Sequence, residues 1–130
     1  MNRTAKTTDL RVKAVGTDEE LRLANDLMAK AHWADYFAAL HWMETCGAGY
    51  PGFQRDHTRI ALWKNEIAGA LRLTTETVRL GEARLKTGGL GWVTTEARHR
   101  RKGVCRALME DGFRYMQAHN YHAAMLFGIM

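Results

Sequence analysis

Arg98-His99-Arg100-Arg101-Lys102-Gly103-Val104-Cys105-Arg106 is the stretch from which the rest of this 130-residue chain is read. Before it, Leu90-Gly91-Trp92-Val93-Thr94-Thr95 is apolar and β-branched, the texture of a strand. After it, apolar residues between Val104 and His119 recur at helical spacing, with Val104, Leu108 and Tyr115 near one line and Cys105, Met109 and Met116 beside it. Strand, basic turn and helix, in that order, make an anion site. The first turn of a helix leaves backbone N–H groups without intrahelical partners, and the helix dipole favours negative charge there. Gly103, having no side chain, lets a ligand approach the backbone. Five Lys or Arg residues fall within these nine positions, a concentration that suits a compact anion better than a merely solvated helix entrance.

Arg100-x-x-Gly103-x-Cys105 resembles the Q/R-x-x-G-x-G/A signature of the GNAT superfamily of N-acetyltransferases, with Cys105 where that family usually has Gly or Ala. In the family, the signature follows a central strand, opens a long helix and cradles the pyrophosphate of acetyl-CoA. The resemblance implies an α/β chain with the acyl-CoA N-acyltransferase (GNAT) fold, a mixed, mostly antiparallel sheet flanked by helices. It places the pyrophosphate on the backbone of Arg101, Lys102, Gly103, Val104, Cys105 and Arg106. The pantetheine arm and thioester fall on Val93, Thr94 and Thr95, with Leu126 and Phe127 lining the thioester from the next strand. Acetyl-CoA is then the cosubstrate, and the acceptor is an amine of a small molecule or peptide that attacks directly in a ternary complex.

The wider composition agrees with a folded domain. A hydrophobic fraction of 46% and a charged fraction of 25% are those of an ordinary globular protein. Residues 1–9 read as a polar tail and 10–130 as one domain. No apolar run approaches the roughly 18 residues of a membrane span, and the N-terminus lacks the apolar segment of a signal peptide, so a cytoplasmic location without membrane association is expected. A net charge of +5 suits an acidic ligand, whether nucleic acid, membrane surface or phosphorylated cofactor. No nucleic-acid docking motif occurs, and the dispersed Trp33, Trp42, Trp63 and Trp92 suit a core or pocket lining better than a base-stacking platform, so nucleic acid is not expected as a partner. Cys46 and Cys105 make no CxxC spacing, and His119 and His122 lack further ligands, so no metal is expected.

Upstream, Leu10 to Val15 alternates as a half-buried strand ended by Gly16, and Thr17-Asp18-Glu19-Glu20 is a capping box for a helix to about Lys30. Leu21, Ala24, Leu27, Met28 and Ala31 form its apolar face. Asp35 caps a second helix to about Thr45, with Tyr36, Phe37, Leu40 and Met43 as its apolar side and Gly47 as its stop. The resembled family would use this helical pair as one wall of an acceptor pocket. A turn-rich loop spans Gly47 to Gly52. Arg59 to Trp63 and Ile67 to Thr74 form a hairpin about Lys64-Asn65-Glu66, Gly69 either weakening the second strand or marking a bulge. Val78 to Lys86 reads as a further strand interrupted at Gly81-Glu82, and Thr87-Gly88-Gly89 as the turn into Leu90 to Thr95. In the helix after the loop, Gly112 allows close packing; Asn120 caps its end, and Tyr121 to Ile129 is a buried parallel strand.

Acetyl transfer needs a neutral amine, a polarised thioester carbonyl and a departing thiolate. Backbone N–H groups at a bulged strand can polarise the carbonyl. Glu96 is the carboxylate nearest in sequence to the thioester strand and the candidate base, though it also reads as a loop acid offsetting the arginines. His32, Asp35 and Glu44 can approach from the helical wall. Cys105, at a helix N-terminus, is read as packing under the loop rather than as a nucleophile. Members of the resembled family continue past the strand that ends this chain with a helix and closing strands, often bearing a tyrosine that protonates the thiolate. The expectation is therefore a fold truncated after its fifth core strand, with an edge that pairing in a homodimer would cover. A CoA-binding module without turnover is the alternative to an N-acetyltransferase.

Overall fold

The computed structural model describes residues 9–32, 35–44 and 52–126. Its sheet runs β1 (Leu10–Ala14), β2 (Thr58–Trp63), β3 (Glu66–Leu80), β4 (Ala83–Thr95) and β5 (Ala123–Leu126), in that spatial order. Neighbours are antiparallel except β4 and β5, which are parallel from Thr87↔Ala123 to Leu90↔Leu126. Helices α1 (Asp18–His32) and α2 (Tyr36–Trp42) cover one face, and α3 (Val104–Ala118), the crossover from β4 to β5, covers the other. This is the mixed, mostly antiparallel sheet flanked by helices that the resemblance implies.

Local chemistry explains the element ends. Thr17 Oγ1 accepts the Glu20 N–H at 3.1 Å, while the Glu20 carboxylate takes the Gly16 N–H at 2.8 Å and pairs with Lys13. The box is thus closed one residue earlier than the simplest form, through Gly16. Asp35 caps α2 by accepting the Ala38 N–H at 3.1 Å. Lys64 and Asn65 both have positive φ, 48° and 68°, as a two-residue type I′ hairpin turn requires. Asn120, at φ 61°, takes the left-handed position after α3.

Two readings of the β3–β4 region are corrected. Val78 to Lys86 is not one interrupted strand: Gly81, at φ 62°, turns the chain, so that β3 and β4 form a single long hairpin with Leu80 opposite Ala83. Thr87-Gly88-Gly89 is not a turn but strand interior. A Cβ on Gly88 would lie 2.8 Å from Met116 Sδ, and one on Gly89 would strike the Thr74 hydroxyl, so these glycines admit neighbours rather than bend the chain. Gly69 does sit beside a bulge, since Ala61 opposes Gly69 while Leu62 opposes Ile67. Close approach accounts for that glycine too, because a Cβ there would meet Val104 Cγ1 at 2.6 Å and Thr94 O at 2.7 Å.

The core divides by face. Ala24, Met28, Ala29, Ala39, Met43 and Ile60 pack under α1 and α2, and Leu71, Leu73, Leu90, Val104, Leu108 and Met116 under α3. The α1 face is rotated from the expected one: Asn25 and Ala29 are buried while Ala31 is exposed. On α2, Phe37 is 78% exposed, so Ala39 and Met43 carry the packing. Gly112 admits Leu90, whose Cδ2 would be 2.9 Å from an added Cβ. Gly47, Cys46 and Trp33 lie outside the described residues.

Candidate cofactor and acceptor site

The basic loop is organised by two left-handed residues. Arg101 has φ 64° and Gly103 φ 80°, the latter serving as N-cap of α3 without any side-chain hydrogen bond to the helix. Its two companion helices differ. Thr17 closes the start of α1 and Asp35 that of α2, whereas the first N–H groups of α3 receive no side-chain cap. Val104 turns inward beneath the loop, and Cys105, roughly 100° further round the helix, is exposed. The packing role expected of Cys105 therefore belongs to Val104.

The cations of the loop have different duties. Arg98 pairs with Glu66 and reaches Glu96 at 3.3 Å. His99 is buried, its Nε2 3.1 Å from Glu66 Oε1, while Lys102 Nζ donates to its Nδ1 at 3.1 Å and lies 4.6 Å from the Trp63 ring centroid. The hydrogen bond from His99, reinforced by the Arg98 charge, holds the Glu66 carboxyl below the usual carboxylate range. Arg106 pairs with Glu110 one helical turn on. The side chains of Arg100 and Arg101 have no partner among the described residues, leaving two unneutralised guanidinium groups beside the uncapped helix.

The strand feeding this loop is bulged. Ala70 opposes Thr94 and Arg72 opposes Gly91, so β4 spends one more residue than β3 over the same span. Trp92, at φ 59°, occupies the bulge, a position no local sequence signal marked. His32, at the end of α1, holds it: its Nε2 is 3.0 Å from Val93 O and 2.9 Å from Thr94 Oγ1. A carbonyl only accepts, so Nε2 carries the proton and donates. Thr94 Oγ1 in turn donates to Trp92 O at 2.7 Å. Three residues expected at the thioester, Val93, Thr94 and Thr95, thus lie on or just past the bulge, and Thr94 is buried.

Glu96 ends the strand as cap of the short helix Ala97–His99, accepting the Arg98 N–H at 2.7 Å. Its carboxylate is directed to Arg98. Leu126, 58% exposed, lies opposite Leu90 on β5, and Phe127 is outside the described residues. Asp35 is committed to capping α2. No group of three or more His, Cys, Asp or Glu side chains placed to hold a metal occurs among the described residues, and none of the described helices is long and apolar enough to cross a membrane.

On the α1/α2 face, beside the bulge, lies a cavity of about 200 Å³ lined by Trp42, Phe53, His57, Arg72, Glu76 and Trp92 among others. A second hollow, of about 300 Å³, lies along β4 and β5 between Gly89, Gly91 and Met125 and shares Thr74 and Glu76 with the first. Glu76 stands where the two meet. Burial lowers the His57 pKa, only partly offset by the Asp56 charge. Sequence reading missed Arg72 and Glu76, because both occupy alternate positions on a strand, where a charged residue ordinarily marks the solvent face.

A bulged central strand running into an uncapped, glycine-initiated helix defines an acyltransferase-type α/β domain. The chain belongs to the GNAT acetyltransferases: the family described as Acetyltransferase (GNAT) domain matches residues 16–130. Among solved structures it is similar to a GCN5-related N-acetyltransferase from Anabaena variabilis, with a TM-score of 0.78 and 12% identity over 93% of this chain and 29% of that one. A GCN5-related N-acetyltransferase from Kribbella flavida gives 0.76 and 17%, over 94% of this chain and 30% of that one. A GNAT family acetyltransferase from Brucella melitensis, in complex with acetyl-CoA, gives 0.66 and 13%, over 93% and 77%. At such identities the likeness shows the fold. The chain spans under a third of the length of the first two. No curated protein sequence matches it significantly.

Proposed function

We propose that this chain binds acetyl-CoA and transfers its acetyl group to an amine held on the α1/α2 face. The observation that carries the proposal is the start of α3, left without a side-chain cap beside Arg100 and Arg101, which have no partner among the described residues, while α1 and α2 are capped. The residues fit a pyrophosphate: Gly103 has open space where a Cβ would stand, and the backbone from Arg101 to Arg106 supplies donors at the positive end of a helix. Val93, Thr94 and Thr95 would align the pantetheine arm, with Leu126 beside the thioester. Acetyl-CoA supplies the acetyl thioester, and the chain orients the amine toward it and accepts the amine's proton.

For that proton we assign Glu76, which opens on both hollows, with Glu96 as the second candidate. Glutamine separates them, since Glu96→Gln keeps an acceptor for the Arg98 N–H but cannot take a proton. Glu76→Gln should lower kcat/KM by roughly 100-fold or more, and Glu96→Gln by less than tenfold. The reverse order would return the role to Glu96. Binding is tested by isothermal titration with acetyl-CoA, and a folded chain that releases no heat would refute the reading. Thiol release with an amine panel then separates a transferase from a module that binds CoA without turnover.

A further inference from the structure

Arg72 is a cation without a counter-ion among the described residues. It is 3% exposed, and each of its partners is neutral: Nε donates to Thr58 Oγ1 at 3.1 Å, Nη2 donates to Asn25 Oδ1, and the guanidinium carbon lies over the Phe53 ring, 5.5 Å from its centroid. Nη1 is buried with no hydrogen-bond partner. Burial alone lowers the pKa of this group, to about 10, so it is charged at neutral pH. Buried charges in proteins are nearly always paired, because an isolated one forfeits its hydration without return. The carboxylate of Glu76, on the same face of β3, is rooted four residues along, roughly 13 Å away by strand rise.

Arg72 also lines the cavity, and the other walls suit an apolar body. Trp42 and Trp92 stand with ring centroids 5.8 Å apart, Phe53 closes over the guanidinium, and Thr74 and Glu76 lead toward β5. We propose that this cavity is a carboxylate subsite and that the acceptor is a small amine carrying a carboxylate and an aromatic or bulky apolar side chain, as an α-amino acid does. The carboxylate pairs with the guanidinium where it lines the cavity, the side chain lies against Trp42, Phe53 and Trp92, and the amine faces Glu76. One carboxylate neutralises one guanidinium, whereas a phosphate dianion would leave a buried negative charge in its place. This assignment rests on the transferase reading, whose acceptor class it names.

The test uses the 130-residue chain and its tryptophan fluorescence, to which Trp42 and Trp92 contribute from the cavity wall. Titrations with phenylalanine, with 3-phenylpropionate, which lacks the amine, and with phenethylamine, which lacks the carboxylate, share one aromatic body. Phenylalanine and 3-phenylpropionate should bind at least tenfold more tightly than phenethylamine, and Arg72→Lys, its fold checked by circular dichroism, should lose at least tenfold in binding both carboxylates. Equal binding of phenethylamine and phenylalanine overturns the proposal, as does absence of carboxylate binding in a chain that still binds acetyl-CoA. Should Arg72→Lys fail to fold, the three-ligand order on the unaltered chain decides alone. If carboxylates bind and acetyl-CoA does not, the subsite stands and the transferase reading falls.

Discussion

Gly103 shows how one residue serves both backbone and ligand. At φ 80° a Cβ has free space around it but strained backbone beneath it, so Gly103→Ala should cost about 1–2 kcal/mol in chemical denaturation. Gly103→Glu carries the same strain and adds a negative charge at the helix start. Its acetyl-CoA affinity should fall at least tenfold below that of Gly103→Ala, and equal affinities for the two variants would place the pyrophosphate elsewhere. His57 makes a pH-dependent contribution. Burial depresses its folded pKa below the ordinary 6.5, so the unfolded chain binds the proton more readily. Its contribution is complete well above pH 6.5 and is lost as pH falls through 6.5 and on to the folded value. Urea melts at pH 7.5 and 5.5 should show a smaller pH penalty for His57→Phe, which keeps an aromatic ring against Tyr115, than for the unaltered chain. An unchanged penalty would show that His57 does not titrate in this way.

At the scale of elements, the seating of α3 governs the loop. Its N-terminal turn rests on Gly69 through Val104 and Leu108, and the mid-helix Asp111 is tied to β2 by Arg59, with contacts of 2.7 and 3.1 Å between two largely buried side chains. Gly69→Ala pushes a methyl against Val104 and the Thr94 carbonyl, which cannot move aside without shifting β4. It should cost about 1–3 kcal/mol and also weaken acetyl-CoA binding, a coupling that melts and titrations read separately. Asp111→Ala strands the Arg59 guanidinium and should cost about 3–5 kcal/mol, whereas the double change Arg59→Met/Asp111→Leu should recover most of that loss. A double variant as unstable as the single one would mean that the pair does more than neutralise itself.

The long β3–β4 hairpin shows where local reading stops. Alternation and Gly81-Glu82 were visible in the sequence, but so were Gly88 and Gly89, and a glycine that bends the chain looks the same there as one lying under a neighbour. Met116 and Thr74 make the difference, and both come from other segments. The ends of α1 and α2, in contrast, were legible because Thr17, Glu20 and Asp35 act within one turn of themselves.

Across the whole molecule, two positive regions differ in their exposure. Arg100 and Arg101 stand in solvent, so raising the salt from about 0.05 to 0.5 M should weaken acetyl-CoA binding through screening. Arg72 lies within the fold, where dissolved salt screens a charge pair much less, and carboxylate binding there should change far less. Parallel titrations at the two salt concentrations compare them; equal slopes would mean that the carboxylates bind at the surface.

What the sequence determined by itself is local: the strand before the basic turn, Gly103 and the helix after it, the capping residues, and through the Arg100-x-x-Gly103 pattern the family. Each follows from residues within a few positions of one another. The bulge at Trp92, clasped by His32 through Val93 from 61 residues away, and the buried Arg72, met by Asn25 from 47 positions upstream, were decided only in three dimensions. Their meaning depends on which side chains arrive from other elements, and a strand's alternation records only that a side chain points to one face, not what it finds there.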